Sequence, residues 1–161
     1  MNRIISRKRI QDRLNEIKET DILVGIPSYN NASTIGHVVK AVQAGFAKYF
    51  PDKKCVLVNS DGGSTDGTTE IVQNAGIESY QAILISHRAA PSFKITTPYH
   101  GIPGKGSAFR TIFEIASALN AKACAVVDSD LRSITPEWIE LLIKPVIEGG
   151  FDYVAPLYHM H

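Results

Sequence analysis

Apolar residues recur along this chain in two rhythms. Short, nearly continuous apolar runs stand at DILVGIPSYN (21–30), KKCVLVNS (53–60), QAILIS (81–86), KACAVVD (122–128) and FDYVAPLY (151–158). Each has the length and density of a buried strand. Pro27 stops the first run and Pro156 the last. Between them the apolar positions shift to helical spacing. In ASTIGHVVKAVQAGFAKYF, Ile35, Val38, Val39, Val42 and Phe46 form one stripe, with Ser33 or Thr34 as the expected cap. STDGTTEIVQNAG reads as a short helix closed by Gly76, and GSAFRTIFEIASALN as a longer amphipathic one. TPEWIELLIKPVIEGG offers Thr135 as N-cap and Pro136 at the first helical position, and Pro145 is expected to kink or end the helix.

The first twenty residues also carry a helical pattern. Ile10, Leu14 and Ile17 share a stripe, and Arg7, Lys8, Arg9, Arg13 and Lys18 decorate the opposite face. Asp12, Glu16 and Glu19 lie among those charges. They favour a solvated helix packed on the domain or on a neighbouring subunit over a membrane-binding face. Trp138 is expected in the core or in a subunit contact, which leaves a homodimer open.

Apolar strands alternating with amphipathic helices predict βαβ units around a mostly parallel sheet, an α/β three-layer sandwich. The expected division is a basic helix over 1–20 and one domain over 21–161. The long irregular stretch is SHRAAPSFKITTPYHGIPGKG (86–106), and loops of that length usually serve function. The chain ends at LYHMH, directly after an expected strand, which predicts a truncated piece of a longer protein.

Composition narrows the function classes. With 161 residues, 44% of them hydrophobic, the chain can bury a core, and its net charge of +1 gives nucleic acid or anionic lipid no strong hold. No apolar run approaches the roughly 20 residues that span a bilayer, so no integral membrane segment is expected. The N-terminal stretch lacks an apolar signal core. Cys55 and Cys124 sit in apolar runs and read as core residues of a reducing compartment, with the cytoplasm as the expected location.

In open α/β sheets, ligands bind beyond the carboxyl ends of the strands. There the chain places PSYNN after the first strand, NSDGGSTDGT after the second and DSD after the fourth. GIPGKGS is no Walker loop, because Gly106 follows Lys105 where Ser or Thr is required, and no G-x-G-x-x-G follows the first strand. PGKGSAFR nevertheless opens a helix. Its spacing fits both a capped turn with an exposed lysine and an anion cradle in which Gly104 and Gly106 admit a ligand and Lys105 adds charge. Asp128 and Asp130 fit a solvated turn, or a divalent cation that completes its shell with phosphates and water. Asp61 and Asp66 bracket GGSTDG, and Asp66 is a candidate cap. His87, His100, His159 and His161 are scattered, and no ligand role is assigned to them.

ILVGIPSYNNASTIGHVV, VLVNSDGGSTDGTTEIV, PGKGSAFRTIFEIA and AVVDSDLRSITPEWI, in that order, resemble the donor-binding half of a GT-A fold glycosyltransferase of family 2. The G-K-G and D-S-D elements resemble the retaining glucosyl-3-phosphoglycerate and mannosylglycerate synthases. The resemblance implies a metal-dependent enzyme, using Mg2+ or Mn2+, that moves a sugar from a nucleoside-diphosphate sugar to an unknown acceptor. It assigns Pro27, Tyr29 and Asn31 to the nucleoside loop and Asp61 to the base or ribose. Lys105 goes to the diphosphate or the sugar, Asp128 to the ribose and metal region, and Asp130 to the metal. Asn31 stands where relatives often carry an acidic residue, and NSDGGSTDG has one extra residue, so uridine and guanosine both stay open. The rival readings are a sugar-phosphate nucleotidyltransferase, which normally opens with a glycine- and arginine-rich loop, and a non-catalytic nucleotide-binding or scaffold module.

Overall fold

The computed structural model describes residues 2–75, 92–99 and 101–157. The strand expected at 81–86, Gly76, and His87, His100, His159 and His161 lie outside the described residues. In chain order the elements are α1 (Asn2–Ile17), β1 (Ile22–Ser28), α2 (Ala32–Tyr49), β2 (Cys55–Asp61), α3 (Thr68–Asn74), β3 (Ser92–Pro98), α4 (Lys105–Ala118), β4 (Ala123–Val126) and α5 (Pro136–Ile147). The strands pair in the order β3-β2-β1-β4, and every pairing is parallel. Ser28 registers with Asp61, and Asp61 with Pro98, so the carboxyl ends of three strands finish side by side.

The period of two within each strand divides the core. Ile22, Val24 and Ile26 of β1, Leu57 of β2 and Ala125 of β4 turn to the face covered by α2 and α5. Leu23, Val56, Val58 and Ile95 turn to the other face, against Ile112, Ile115 and Leu119 and against Ile17 at the end of α1. The result is helix, sheet, helix: the α/β three-layer sandwich that the alternating pattern predicts. Among the described residues no helix is long and apolar enough to cross a membrane.

Several local expectations are corrected. Residues 92–98 form β3, inside the stretch that looked irregular. Of SFKITTP only Ile95 and Thr97 are buried, so this strand, the outer one among the described residues, lacks an apolar signature. Residues 151–157 form no strand, because they pair with none among the described residues, and Phe151, Tyr153 and Leu157 are exposed. The N-cap of α2 is Asn31, not Ser33 or Thr34. Pro145 is held inside α5, where its missing N–H removes the helical bond to the carbonyl of Leu141, and the helix closes two residues later at Ile147. Cys55 is buried as expected, but Cys124 is exposed, since among the described residues β4 pairs only with β1.

One close contact sets the height of α4 above the sheet. A Cβ built on Gly25 would come within 2.4 Å of Ile112 Cγ2, so only the absence of a side chain lets α4 lie this near β1. Gly25→Ala is therefore expected to destabilise the domain by about 1–3 kcal/mol through overpacking. Urea denaturation measures this, and the loss should shrink in an Ile112→Ala background, where the clashing atoms are gone. Equal stability of Gly25→Ala and the parent would contradict the contact.

Candidate functional site

The carboxyl ends of β1 and β2 are tied together by buried polar groups. Asn59 Nδ2 donates to Ile26 O at 3.1 Å and to Ser28 Oγ at 2.8 Å, and Ser28 Oγ donates to Asp61 Oδ1 at 2.7 Å. Asp61 Oδ2 accepts the backbone N–H groups of Gly63 at 2.9 Å and Ser64 at 2.7 Å, and Ser64 Oγ donates to Oδ1 at 2.7 Å. With four donors the Asp61 carboxylate is committed to Ser28 and to its own loop, and the residue is only 4% exposed. It lies behind the wall of the site and holds Gly62 in that wall.

The neighbouring loop is pinned from the same side. Asn30 N donates to Ser64 Oγ, Asn31 N to Thr68 Oγ1, and Ala32 N to Asp66 Oδ2. Asp66 Oδ1 accepts the Thr68 N–H, so this carboxylate serves the first residues of both α2 and α3. Its hydrogen bond from the Thr68 side chain, followed by that from the Ala32 N–H, holds its pKa below the ordinary carboxylate value. The N-cap residue of α3 is Gly67 rather than Asp66, which instead satisfies the N–H groups of the first residues of α3 and α2 from outside both helices.

Gly62 sits between two tyrosines. A Cβ there would meet Tyr99 Oη at 2.8 Å and Tyr29 Cδ2 at 3.2 Å. Tyr99 N donates to Asp61 O at 3.1 Å, and its hydroxyl accepts the Gly104 N–H at 3.1 Å, linking the β2 loop to the start of α4. Tyr29 is 61% exposed and presents its ring to the cavity. Tyr99 was not singled out in the sequence. Its position depends on β3, whose polar composition hid the strand, whereas Gly62 directly follows β2 and its N–H donates to Ser28 O.

Beyond β4 the strand's alternation continues for four more residues. Ala123, Ala125, Val127 and Ser129 are buried, while Cys124, Val126, Asp128 and Asp130 are exposed or half-buried on the opposite face. Val127 N still donates to Gly25 O at 3.0 Å, which carries the register past the last ladder residue. Both carboxylates therefore emerge on the α4 side. There Gly104, the N-cap of α4 at φ 144°, adopts a conformation that disfavours any side chain. Lys105 Nζ lies 2.8 Å from Asp128 Oδ1, and this hydrogen bond, with the charges of Asp128 and Asp130, raises the lysine pKa.

These three ends enclose a cavity of about 580 Å3 lined by Pro27, Tyr29, Asn31, Lys105, Asp128 and Asp130, among others. Six of the seven expected site residues thus meet in one place, with Asp61 directly behind them. Its charged lining groups, two carboxylates against one ammonium, leave the cavity with an excess negative charge. A diphosphate would be repelled here unless a cation came with it. Among the described residues no group of three or more His, Cys, Asp or Glu side chains is gathered that could hold a metal ion. A closed protein cage is therefore not what these residues build. Two carboxylates facing an open cavity suit a hard divalent cation that takes its other ligands from phosphate and water.

Comparison with known proteins bears on the same region. The chain is 28% identical over 145 residues to the uncharacterized protein MJ1222 of Methanocaldococcus jannaschii, covering 90% of this chain and 49% of that protein. It resembles in fold the glucosyl-3-phosphoglycerate synthase of Mycobacterium tuberculosis, with a TM-score of 0.52, 21% identity, and 84% of this chain aligned to 45% of that one. Two further structures of that synthase also match. One holds Mg2+ and uridine diphosphate (TM-score 0.51, 20% identity, 84% and 43% covered). The other holds Mn2+, uridine-diphosphate-glucose and glycerol 3-phosphate (TM-score 0.53, 21% identity, 84% and 44% covered). The chain thus spans about half the length of these relatives. The glycosyl transferase family 2 model matches residues 23–161, every element from β1 onward, and the chain belongs to that family.

Proposed function

We propose that the chain carries the donor site of a glycosyltransferase that binds a nucleoside-diphosphate sugar together with Mg2+ or Mn2+. The observation that carries this reading is the convergence of Asp128, Asp130 and Lys105 on one cavity whose other end is walled by Tyr29, Gly62 and Tyr99. An aromatic, glycine-backed end suits a flat base, and a carboxylate pair beside a lysine suits a cation and a diphosphate. Family membership and the ligands held by the M. tuberculosis synthase point the same way. In this reading residues 21–161 form the donor-binding unit and the helix at 1–20 braces it.

Pro27, Tyr29 and Asn31 border the nucleoside, and Asp61 shapes that end by fixing the loop at Gly62 to Ser64. Asp130, with Asp128 beside it, holds the cation. Transfer breaks the bond between the sugar and the diphosphate, and negative charge grows on the departing phosphate. A bound divalent cation supplies Lewis-acid stabilisation of that charge. Lys105 shares the task, since a cation already within hydrogen-bond reach of Asp128 can turn to a phosphate oxygen without crossing the cavity. The N–H groups in the first turn of α4 add a fixed positive end to the same place.

Two substitutions separate the parts. Asp130→Ala is expected to remove the metal-dependent component of UDP or GDP binding in calorimetry, and binding that is identical with and without Mg2+ in the parent would overturn the reading. Lys105→Ala is expected to weaken the nucleoside diphosphate about tenfold, as for one charge-assisted hydrogen bond, and to leave the free nucleoside unaffected. Equal losses for both ligands would move Lys105 away from the phosphates.

A further inference from the structure

The acidic pair is fastened from behind by the residue between its members. Ser129 is 6% exposed, and it is the last inward position of the alternation that buries Ala123, Ala125 and Val127. Its hydroxyl donates to Asn31 Oδ1 at 2.8 Å. The same oxygen accepts the Tyr29 N–H at 3.0 Å, so one carboxamide oxygen ties the turn after β4 to the loop after β1. From the other side Thr34 Oγ1, in the first turn of α2, donates to Ser129 O at 2.9 Å. Side chain and backbone of the same residue are thus both held, and its neighbours Asp128 and Asp130 are left facing the cavity.

We infer that Ser129 is a positioning residue that sets the two carboxylates for the cation and couples them mechanically to the nucleoside loop. The inference rests on the donor-site reading above. An alanine or valine would satisfy the burial that the alternation demands at this position. Only a hydroxyl can also bond the Asn31 oxygen, which already borders the nucleoside end. Rotation about the backbone of residue 129 would swing Asp128 and Asp130 apart, and the two hydrogen bonds to that residue oppose it. The arrangement makes the nucleoside loop and the cation ligands one unit. Occupancy of one end then favours the geometry needed at the other, and the cation and the nucleotide bind with positive coupling.

The test measures that coupling rather than turnover. UDP and GDP are titrated into the 161-residue chain by calorimetry with and without Mn2+, for the parent, Ser129→Ala and Thr34→Val. The parent is expected to bind one of the nucleotides more tightly when Mn2+ is present. Both variants should cut that enhancement about tenfold, the scale of one lost buried hydrogen bond, while the metal-free affinity stays where it was. Variants that keep the full enhancement overturn the positioning role and leave the donor site standing. Variants that lose affinity equally with and without Mn2+ also overturn it, because a purely structural residue would behave so. A parent chain that binds neither nucleotide with Mn2+ overturns the donor-site reading and this inference with it. Thr34→Val acts on the backbone side of the clamp, so the comparison survives if Ser129→Ala folds poorly.

Discussion

Two carboxylates two residues apart on one face of the segment that leaves β4 repel each other, and the chain keeps Asp128 and Asp130 there because the core leaves no alternative. Ala123, Ala125, Val127 and Ser129 are buried against the α2 face, so the even-numbered residues between them must face α4. Slipping β4 by one residue would bury the aspartates and expose the alanines. Parallel pairing with β1, in which Gly25 registers with Val126, prevents that slip. The negative face of the cavity is thus a consequence of hydrophobic burial several residues upstream.

What faces the carboxylates is set by a second packing constraint. α4 approaches β1 at a distance only glycine allows, and it runs back from the carboxyl end of the sheet with Lys105 as its first residue. The lysine therefore arrives opposite Asp128 by the placement of a helix, with a flexible side chain left to exchange partners. The end of the cavity walled by Tyr29, Gly62 and Tyr99 is built differently. Asp61 and Asp66 spend their oxygens on backbone N–H groups and hydroxyls of the loops after β1 and β2, so that end is a hydrogen-bonded frame with little freedom. A rigid frame beside an exchangeable ion pair is a sensible division for a site that must recognise one part of a ligand and accommodate changing charge on another.

Much of this was legible before the fold. The apolar runs and stripes located β1, β2, β4, α2, α4 and α5, and the rule that ligands gather beyond strand ends drew Asp128, Asp130 and the Tyr29–Asn31 loop to one place, to which the family resemblance added Lys105. The sequence was silent where a residue's role depends on a partner distant in the chain. Ser129 looked like a spacer between two aspartates, and only its contact with Asn31 reveals a clamp. Tyr99 follows a strand whose SFKITTP composition is that of a loop, because a strand that pairs on one side only among the described residues needs few apolar residues. The apolar run at 151–157 misled for the converse reason: strand composition makes no strand without a neighbour to pair with, and it has none among the described residues. The resemblance set Asp61 beside the base or ribose, and no sequence pattern showed that its oxygens are occupied by Ser28 of β1 and by Gly63 and Ser64 of the following loop.

The central claim is that one cavity at the strand ends takes a divalent cation and a nucleoside diphosphate together. The most direct measurement is paramagnetic broadening of backbone amide signals by Mn2+, recorded with UDP or GDP present. The account predicts selective loss of the signals of Asp128, Ser129, Asp130 and Gly104 to Gly106. The signals of Ile22, Cys55 and Ala123, at the far end of the same strands, should persist. Broadening centred away from the strand ends, or spread evenly over the acidic surface, would contradict it.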